Sequence, residues 1–180
     1  MFKLLLQIAM VFLPFLSWSQ KACIPRLFKN VHQIGEKPEN GERIKSVGYS
    51  SSGQEIIAYT DDNKKIELQS DLVWGYQDKD CIIYRNSGSH FFKVEQAGEM
   101  IIYSLQSRGF RSRLTTYYYF SKDFDAPIFL LDGENLAGQY KDNACFVNKV
   151  KQKFNSPFNH NYASMHKKSF DVIELLRSCK

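Results

Sequence analysis

The feature that most limits the fold of this chain is a succession of short strand-like segments between residues 42 and 131. Lys65–Gln69 alternates apolar and polar side chains, and Glu55–Thr60 has the position of its hairpin partner. Turn-forming residues, including Asp61–Lys64 and Asn86–Ser89, separate successive segments. None of the intervening stretches has the length and periodicity of the crossover helix that parallel strands need. We therefore expect an antiparallel meander of seven or eight strands, forming either a bent sheet or a small barrel.

Two of these segments have a predictable place in the sheet. Tyr117–Phe120 carries aromatic residues at consecutive positions, which point to both faces of one strand. We expect this to be a central strand covered on both sides, on one of them by helices. Pro127–Leu131 is expected at an edge of the sheet, because proline cannot donate a hydrogen bond to a neighbouring strand.

The pattern becomes helical after residue 131. Asp132 is a candidate N-cap for a helix over Gly133–Tyr140, and Asp142 is a candidate N-cap for a second helix. The apolar residues of the second helix recur at helical spacing and are Phe146, Val150 and Phe154. A third candidate helix covers Ser169–Ser178. Its apolar residues are Phe170, Ile173 and Leu176.

The N-terminus has the layout of a cleavable secretory signal. Lys3 precedes an apolar stretch over Leu4–Leu16, and small residues stand at −3 and −1 before Gln20. The apolar stretch is 13 residues long, too short to span about 30 Å of hydrocarbon as a helix. We expect cleavage between Ser19 and Gln20, with export to the periplasm or the extracellular space. No later segment of the sequence is a candidate membrane span.

The sequence therefore predicts an α+β protein with three successive parts. Residues 1–19 form the signal sequence, residues 20–131 an antiparallel β-domain with an irregular lead-in, and residues 132–180 a helical C-terminal lobe. The β-domain is expected to be the meander described above. Two or three short helices are expected to follow it and to pack on it.

Four cysteines remain after signal removal, and their use follows from the compartment. Cys23, Cys81, Cys145 and Cys179 permit two disulfides in an exported chain, with three possible connectivities. Cys145–Cys179 is the favoured pair, because both residues lie in the C-terminal lobe. The alternative is four buried free thiols that pack as small apolar groups. The wide spacings do not match a zinc-binding pattern, so we expect no metal site.

The sequence contains no catalytic motif. The four histidines form no zinc-binding arrangement, and Gly48–Ser52 resembles a nucleophile elbow but lacks its closing glycine. Phosphate-binding loops, dinucleotide fingerprints and EF-hands are also missing. We therefore assign no catalytic residue and expect no cofactor.

Two groups of residues are candidates for ligand binding. In the first, Trp74, Tyr76 and Tyr84 would form a stacking platform, and Arg85 would bind a carboxylate. The alternative is that these aromatic residues form an inward face of the sheet. The second group is a basic loop with three arginines, which are Arg108, Arg111 and Arg113. It would grip an anionic partner, or it is simply a solvated loop.

Several short motifs of the chain resemble a known group of proteins. They are Val73–Tyr76, Ile83–Asn86, Phe91–Val94, Tyr118–Lys122 and Ala126–Ile128. Together they resemble a family of small exported proteins of unknown function found in Bacteroidetes. The resemblance implies export and the β-rich fold, and it implies no catalytic residue.

The leading functional hypothesis is a binding or structural module of the cell envelope. Residues 141–180 carry eight basic and three acidic residues, so anionic glycans or lipid headgroups are candidate partners, as is an envelope protein. Nucleic acid is not expected for an exported chain. The competing hypothesis is a small extracytoplasmic hydrolase acting on glycan or cell-wall material. The sequence leaves the oligomeric state open.

Export is directly testable. Expression of the full chain in a secretion-competent bacterium should release a protein that begins at Gln20, as measured by intact-mass spectrometry. Replacing Ser19 with Arg removes the small residue at −1 and should block this cleavage. Recovery of wild-type protein that retains Met1 would contradict the prediction.

Overall fold

The computed structural model describes residues 23–34, 36, 43–108, 114–154 and 171–180. The predicted signal sequence at residues 1–19 lies outside these residues. Within them, the chain forms ten strands and three helices, with short 3-10 turns at Val31–Gln33 and Ser70–Leu72. The strands are β1 (Arg26–Phe28), β2 (Ile44–Tyr49), β3 (Glu55–Thr60), β4 (Lys65–Gln69), β5 (Gly75–Gln77), β6 (Ile83–Ser87), β7 (His90–Gln96), β8 (Ile101–Arg108), β9 (Leu114–Ser121) and β10 (Phe129–Leu130). The helices are α1 (Gly133–Gln139), α2 (Ala144–Phe154) and α3 (171–177).

The strands form two antiparallel sheets, which confirms the predicted α+β class. The larger sheet has the order β1-β5-β6-β7-β8-β9-β10, and β2-β3-β4 form a separate three-stranded sheet. Neither sheet is closed, so the barrel alternative is not realised. The predicted hairpin is β3–β4, in which Ile56 pairs with Leu68 and Ala58 with Ile66. The segment after Pro127 contributes β10 at the edge of the larger sheet, as expected.

The larger sheet is covered on both faces at β8 and β9. Consecutive residues alternate between two cores: Ile102 and Phe120 face α1, α2 and α3, whereas Tyr103 faces the opposite core with Phe92. The prediction that Tyr117–Phe120 has two covered faces, one of them by helices, is confirmed. This strand, β9, pairs with β8 on one side and with the two-residue strand β10 on the other, so it is an interior strand that lies next to the edge of the sheet.

The helices start where short polar side chains cap them. The Asp132 carboxylate accepts a hydrogen bond from the Asn135 backbone N–H at 2.7 Å, as predicted. The predicted cap Asp142 is wrong: α2 begins at Ala144, so the Asn143 side chain accepts from the Phe146 N–H at 3.0 Å. The predicted apolar stripes pack into the helical core, namely Phe146, Val150, Phe154, Ile173 and Leu176, while Phe170 lies outside the described residues.

Both disulfides form. Cys145–Cys179 ties the start of α2 to the residues after α3, which confirms the favoured pair. Cys23–Cys81 joins the segment just before β1 to the turn between β5 and β6. Each bond closes a loop of tens of residues and contributes about 2–4 kcal/mol by restricting the unfolded chain. In the described part of the chain, no helix is long and apolar enough to cross a bilayer.

Gly75 holds β5 close to β6 and provides a test of the sheet. A Cβ added at Gly75 would lie 2.1 Å from the Tyr84 carbonyl oxygen, whereas one added at Gly48 in β2 would meet nothing within 4 Å. Gly75→Ala should therefore lower the free energy of unfolding by about 2 kcal/mol or more. Gly48→Ala is the matched control and should change it by less than about 0.5 kcal/mol. Urea denaturation measures both, and equal stability of the two variants would contradict the close approach.

Candidate functional site

An open cleft of about 460 Å³ lies beside the end of β6. One wall comes from the segment after β4, with Asp71 and Trp74. The floor comes from β6 and the turn that follows it, and Asp125 closes the opposite side. We call this site the Arg85 cleft, because Arg85 is among the residues that line it. Its polar lining distinguishes it from the two apolar cores on either side of the larger sheet.

Arg85 is nearly buried, yet its hydrogen-bond partners in the protein are neutral. The side chain is 8% exposed. Nη1 donates to the Tyr103 hydroxyl at 3.0 Å and to Ser121 Oγ at 3.4 Å, and Nη2 donates to the Ala126 carbonyl at 2.8 Å. These contacts hold the guanidinium against β8, β9 and the loop before β10.

The charge of Arg85 is not neutralised by the residues that the structure describes. None of their carboxylates lies within ion-pair distance of it, and its Nε–H has no acceptor among them. A buried charge that lacks an ionic partner costs several kcal/mol. The cleft therefore presents a fixed cation with spare N–H donors to whatever enters it.

The Trp74 ring is fixed by contacts on the same side of the sheet as Arg85. Its indole N–H donates to the Phe124 carbonyl at 3.2 Å. The ring makes edge contacts with Phe28 and Phe124, with centroids 6.2 and 5.6 Å apart. The bond to Phe124 holds the indole in one orientation at the cleft wall. Trp74 is partly exposed, so the cleft has a rigid aromatic surface.

Asn86 positions the wall that carries Asp71 and Trp74. Its Nδ2 donates to the Ser70 carbonyl at 2.6 Å and to the Val73 carbonyl at 2.7 Å. Its Oδ1 accepts a hydrogen bond from the Tyr49 hydroxyl on β2. One amide thus ties the 3-10 turn and the smaller sheet to β6.

Two carboxylates face the cleft from different walls. Asp71 lies in the 3-10 turn, and Asp125 lies in a tight turn that Asp123 organises. The Asp123 carboxylate accepts hydrogen bonds from the Asp125 and Ala126 backbone N–H groups at 2.8 and 2.6 Å. Neither the Asp71 nor the Asp125 carboxylate is hydrogen-bonded to a described residue, and both residues are exposed. They are available as acceptors for a ligand.

The residues of the first predicted binding group lie on two opposite faces of the larger sheet. Tyr76 pairs with Tyr84 across β5 and β6, and their rings stack with centroids 4.6 Å apart. Gly75 pairs with Arg85, so the Arg85 side chain points to the opposite face. Trp74 and Arg85 meet at the cleft, whereas the two tyrosines do not line it.

Leu72, Trp74 and Tyr76 do not share one face of a single strand. Ser70–Leu72 is a 3-10 turn, and β5 begins only at Gly75. Tyr76 and Tyr84 instead form an aromatic cluster with Phe91 and Tyr49, in which Phe91 stacks on Tyr49 at 4.6 Å. This cluster joins the larger sheet to β2.

The second predicted group is largely outside the described residues. Arg108 is exposed at the end of β8, and Arg111 and Arg113 lie in the undescribed segment. Sequence reasoning also missed Asp71, Asn86 and Asp125 as cleft residues. Their turn-forming character was visible, but the convergence of three separate turns beside Arg85 depends on the sheet order.

The described residues offer no group of three or more His, Cys, Asp or Glu side chains that could hold a metal ion. His90 has its Nδ1 2.8 Å from the Gly88 carbonyl and does not line the cleft.

No protein-family model matches the chain, and no curated protein or solved structure does so either.

The aromatic cluster predicts a loss of stability at alkaline pH. Burial raises the pKa of Tyr49 to about 12, and burial also raises that of Tyr76. Above pH 10 the unfolded chain loses the phenolic protons before the folded protein does, so the folded state binds more protons and stability falls with rising pH. Below that pH both states keep these protons, and this contribution does not vary.

Denaturation at pH values from 8 to 12 measures the effect, with tyrosinate absorbance as a second readout. Tyr49→Phe should reduce the slope of stability against pH above pH 10. Tyr59→Phe, at an exposed tyrosine of β3, is the control and should leave the slope unchanged. The same slope in wild type and Tyr49→Phe would contradict the assignment to Tyr49.

Proposed function

We propose that the protein is an exported binding module of the cell envelope that captures a carboxylate-bearing ligand in the Arg85 cleft. The observation that carries the proposal is Arg85, a residue that is 8% exposed and whose guanidinium has only neutral hydrogen-bond partners among the described residues. A carboxylate would accept from the spare N–H donors and would supply the missing negative charge. The proposal keeps two members of the predicted binding group, Trp74 and Arg85.

Export is supported by two independent features. The first 19 residues have the composition of a secretory signal. All four remaining cysteines are paired in disulfides, which persist in oxidising compartments and are rare in the cytosol. An anionic glycan at the cell surface is the kind of ligand that such a location makes accessible.

Ligand binding can be measured on the processed chain because Trp74 is then its only tryptophan. The probes are three carboxylates of different shape, namely D-glucuronate, N-acetyl-L-alanine and succinate, each paired with its methyl ester. At least one carboxylate should change the Trp74 fluorescence and shift the Arg85 Nε–H resonance, and its ester should not. If the esters and the acids behave alike, or if none binds, the proposal is wrong.

Variants identify the residue responsible. Arg85→Lys keeps a positive charge but loses the planar fork, and it should weaken carboxylate binding at least about tenfold. Arg177→Gln on α3 is the control and should bind like wild type. Because Arg85 also bonds to Tyr103 and Ser121, thermal unfolding must establish that the Lys variant folds. The Nε–H shift in the unmodified protein tests the same contact without a substitution.

A small hydrolase acting on glycan material is the second candidate function. The observation that favours it is the presence of Asp71 and Asp125 in one cleft, since glycoside hydrolysis uses two carboxyl groups. Incubation of acidic and neutral oligosaccharides with the protein, followed by mass spectrometry, tests it. Cleavage that is lost in both Asp71→Asn and Asp125→Asn would favour the hydrolase, and intact substrates would favour the binding module.

A further inference from the structure

The Arg85 cleft combines one cation with two anions, which restricts the ligands that suit it. Arg85 supplies one guanidinium, while Asp71 and Asp125 each add a negative charge to the lining. A ligand with several negative charges would have one cation to pair with and two carboxylates that repel it. The cleft is therefore suited to a ligand with a single negative charge.

The two carboxylates also define what the rest of the ligand must provide. Both are acceptors without a hydrogen-bond donor among the described residues. They stand on different walls, one in the 3-10 turn at Ser70–Leu72 and the other in the turn after Asp123. A ligand that satisfies both needs hydroxyl donors on two sides of its body. A free amino acid with an apolar side chain has only its ammonium group as a donor, and so supplies donors at one point only.

Trp74 and the size of the cleft complete the description. The partly exposed indole is held by its bond to Phe124 and offers a flat apolar surface next to polar groups. The volume of about 460 Å³ lies in the range of small-ligand sites. A ring with hydroxyls around its rim and C–H groups on its face matches this combination.

We infer that the ligand of the Arg85 cleft is an acidic sugar, that is, a pyranose ring carrying one carboxylate. This inference rests on the proposed function and narrows its ligand class. Arg85 binds the ring carboxylate, Asp71 and Asp125 accept from ring hydroxyls, and Trp74 packs against the ring face.

The test compares three probes that share parts of one structure. D-Glucuronate has the ring, the hydroxyls and the carboxylate; D-glucose lacks the carboxylate; cyclohexanecarboxylate lacks the hydroxyls. Trp74 fluorescence and calorimetry on the processed chain measure affinity for each. D-Glucuronate should bind at least about tenfold more tightly than either of the others, because a site built for hydroxyls discriminates against their absence.

Exposed carboxylates provide matched variants that should not disturb the fold. Asp125→Asn should weaken D-glucuronate binding severalfold and leave cyclohexanecarboxylate binding equal or stronger. Asp61→Asn, in the exposed β3–β4 turn, is the control and should change neither affinity.

The outcomes separate the inference from the proposed function. Equal binding of D-glucuronate and cyclohexanecarboxylate overturns the acidic-sugar inference but retains carboxylate recognition. Equal binding of D-glucose and D-glucuronate removes the role of Arg85 and overturns both proposals. Absence of binding by every carboxylate also overturns both.

Discussion

The structure depends on two adjacent side chains of β6 that bond in opposite directions. Arg85 reaches Tyr103, Ser121 and the Ala126 carbonyl, and so joins β6 to β8, β9 and the loop before β10. Asn86 donates hydrogen bonds to the carbonyls of Ser70 and Val73 and accepts one from the hydroxyl of Tyr49 in the smaller sheet. Because strand side chains alternate, one dipeptide connects both sides of the larger sheet. The walls of the cleft are thus positioned by polar bonds, whereas the helical side is held by an apolar core.

This arrangement separates stability from recognition along the chain. The helices and β9 bury their aromatic and aliphatic residues against one another, and Cys145–Cys179 reinforces that packing. At the Arg85 cleft, short turns surround the Arg85 cation, which has no ionic partner among the described residues. Natural proteins keep such costly groups where a ligand uses them, and the rest of the fold compensates. The short strands around the cleft place their turn residues at its rim, where substitutions that alter ligand preference leave the cores untouched.

The parts of the fold that local pattern determines were predictable from the sequence. The β3–β4 hairpin, the Asp132 cap and the α2 stripe all follow from spacing within a short stretch. The Cys145–Cys179 pair follows from the presence of both cysteines in the C-terminal lobe. The misses concern tertiary context. Asp and Asn are both good N-cap residues, so the sequence did not distinguish Asp142 from Asn143. The N-cap is Asn143 because α2 begins at Ala144. Arg85 was identified as a binding residue, but its separation from Tyr76 and Tyr84 required the β5–β6 register. Asp71 and Asp125 are 54 positions apart in the sequence, and only the folded sheet brings their turns together.

The Cys23–Cys81 bond has a consequence for when the protein matures. It anchors the chain just before β1, an edge strand that pairs with β5 over only three residues. In a reducing compartment this bond does not persist, and so short a strand detaches readily. Phe28, which packs against Trp74, would detach with it. Formation of the Cys23–Cys81 bond thus completes the aromatic wall of the cleft, and under the proposed function the binding of ligand would depend on this oxidation.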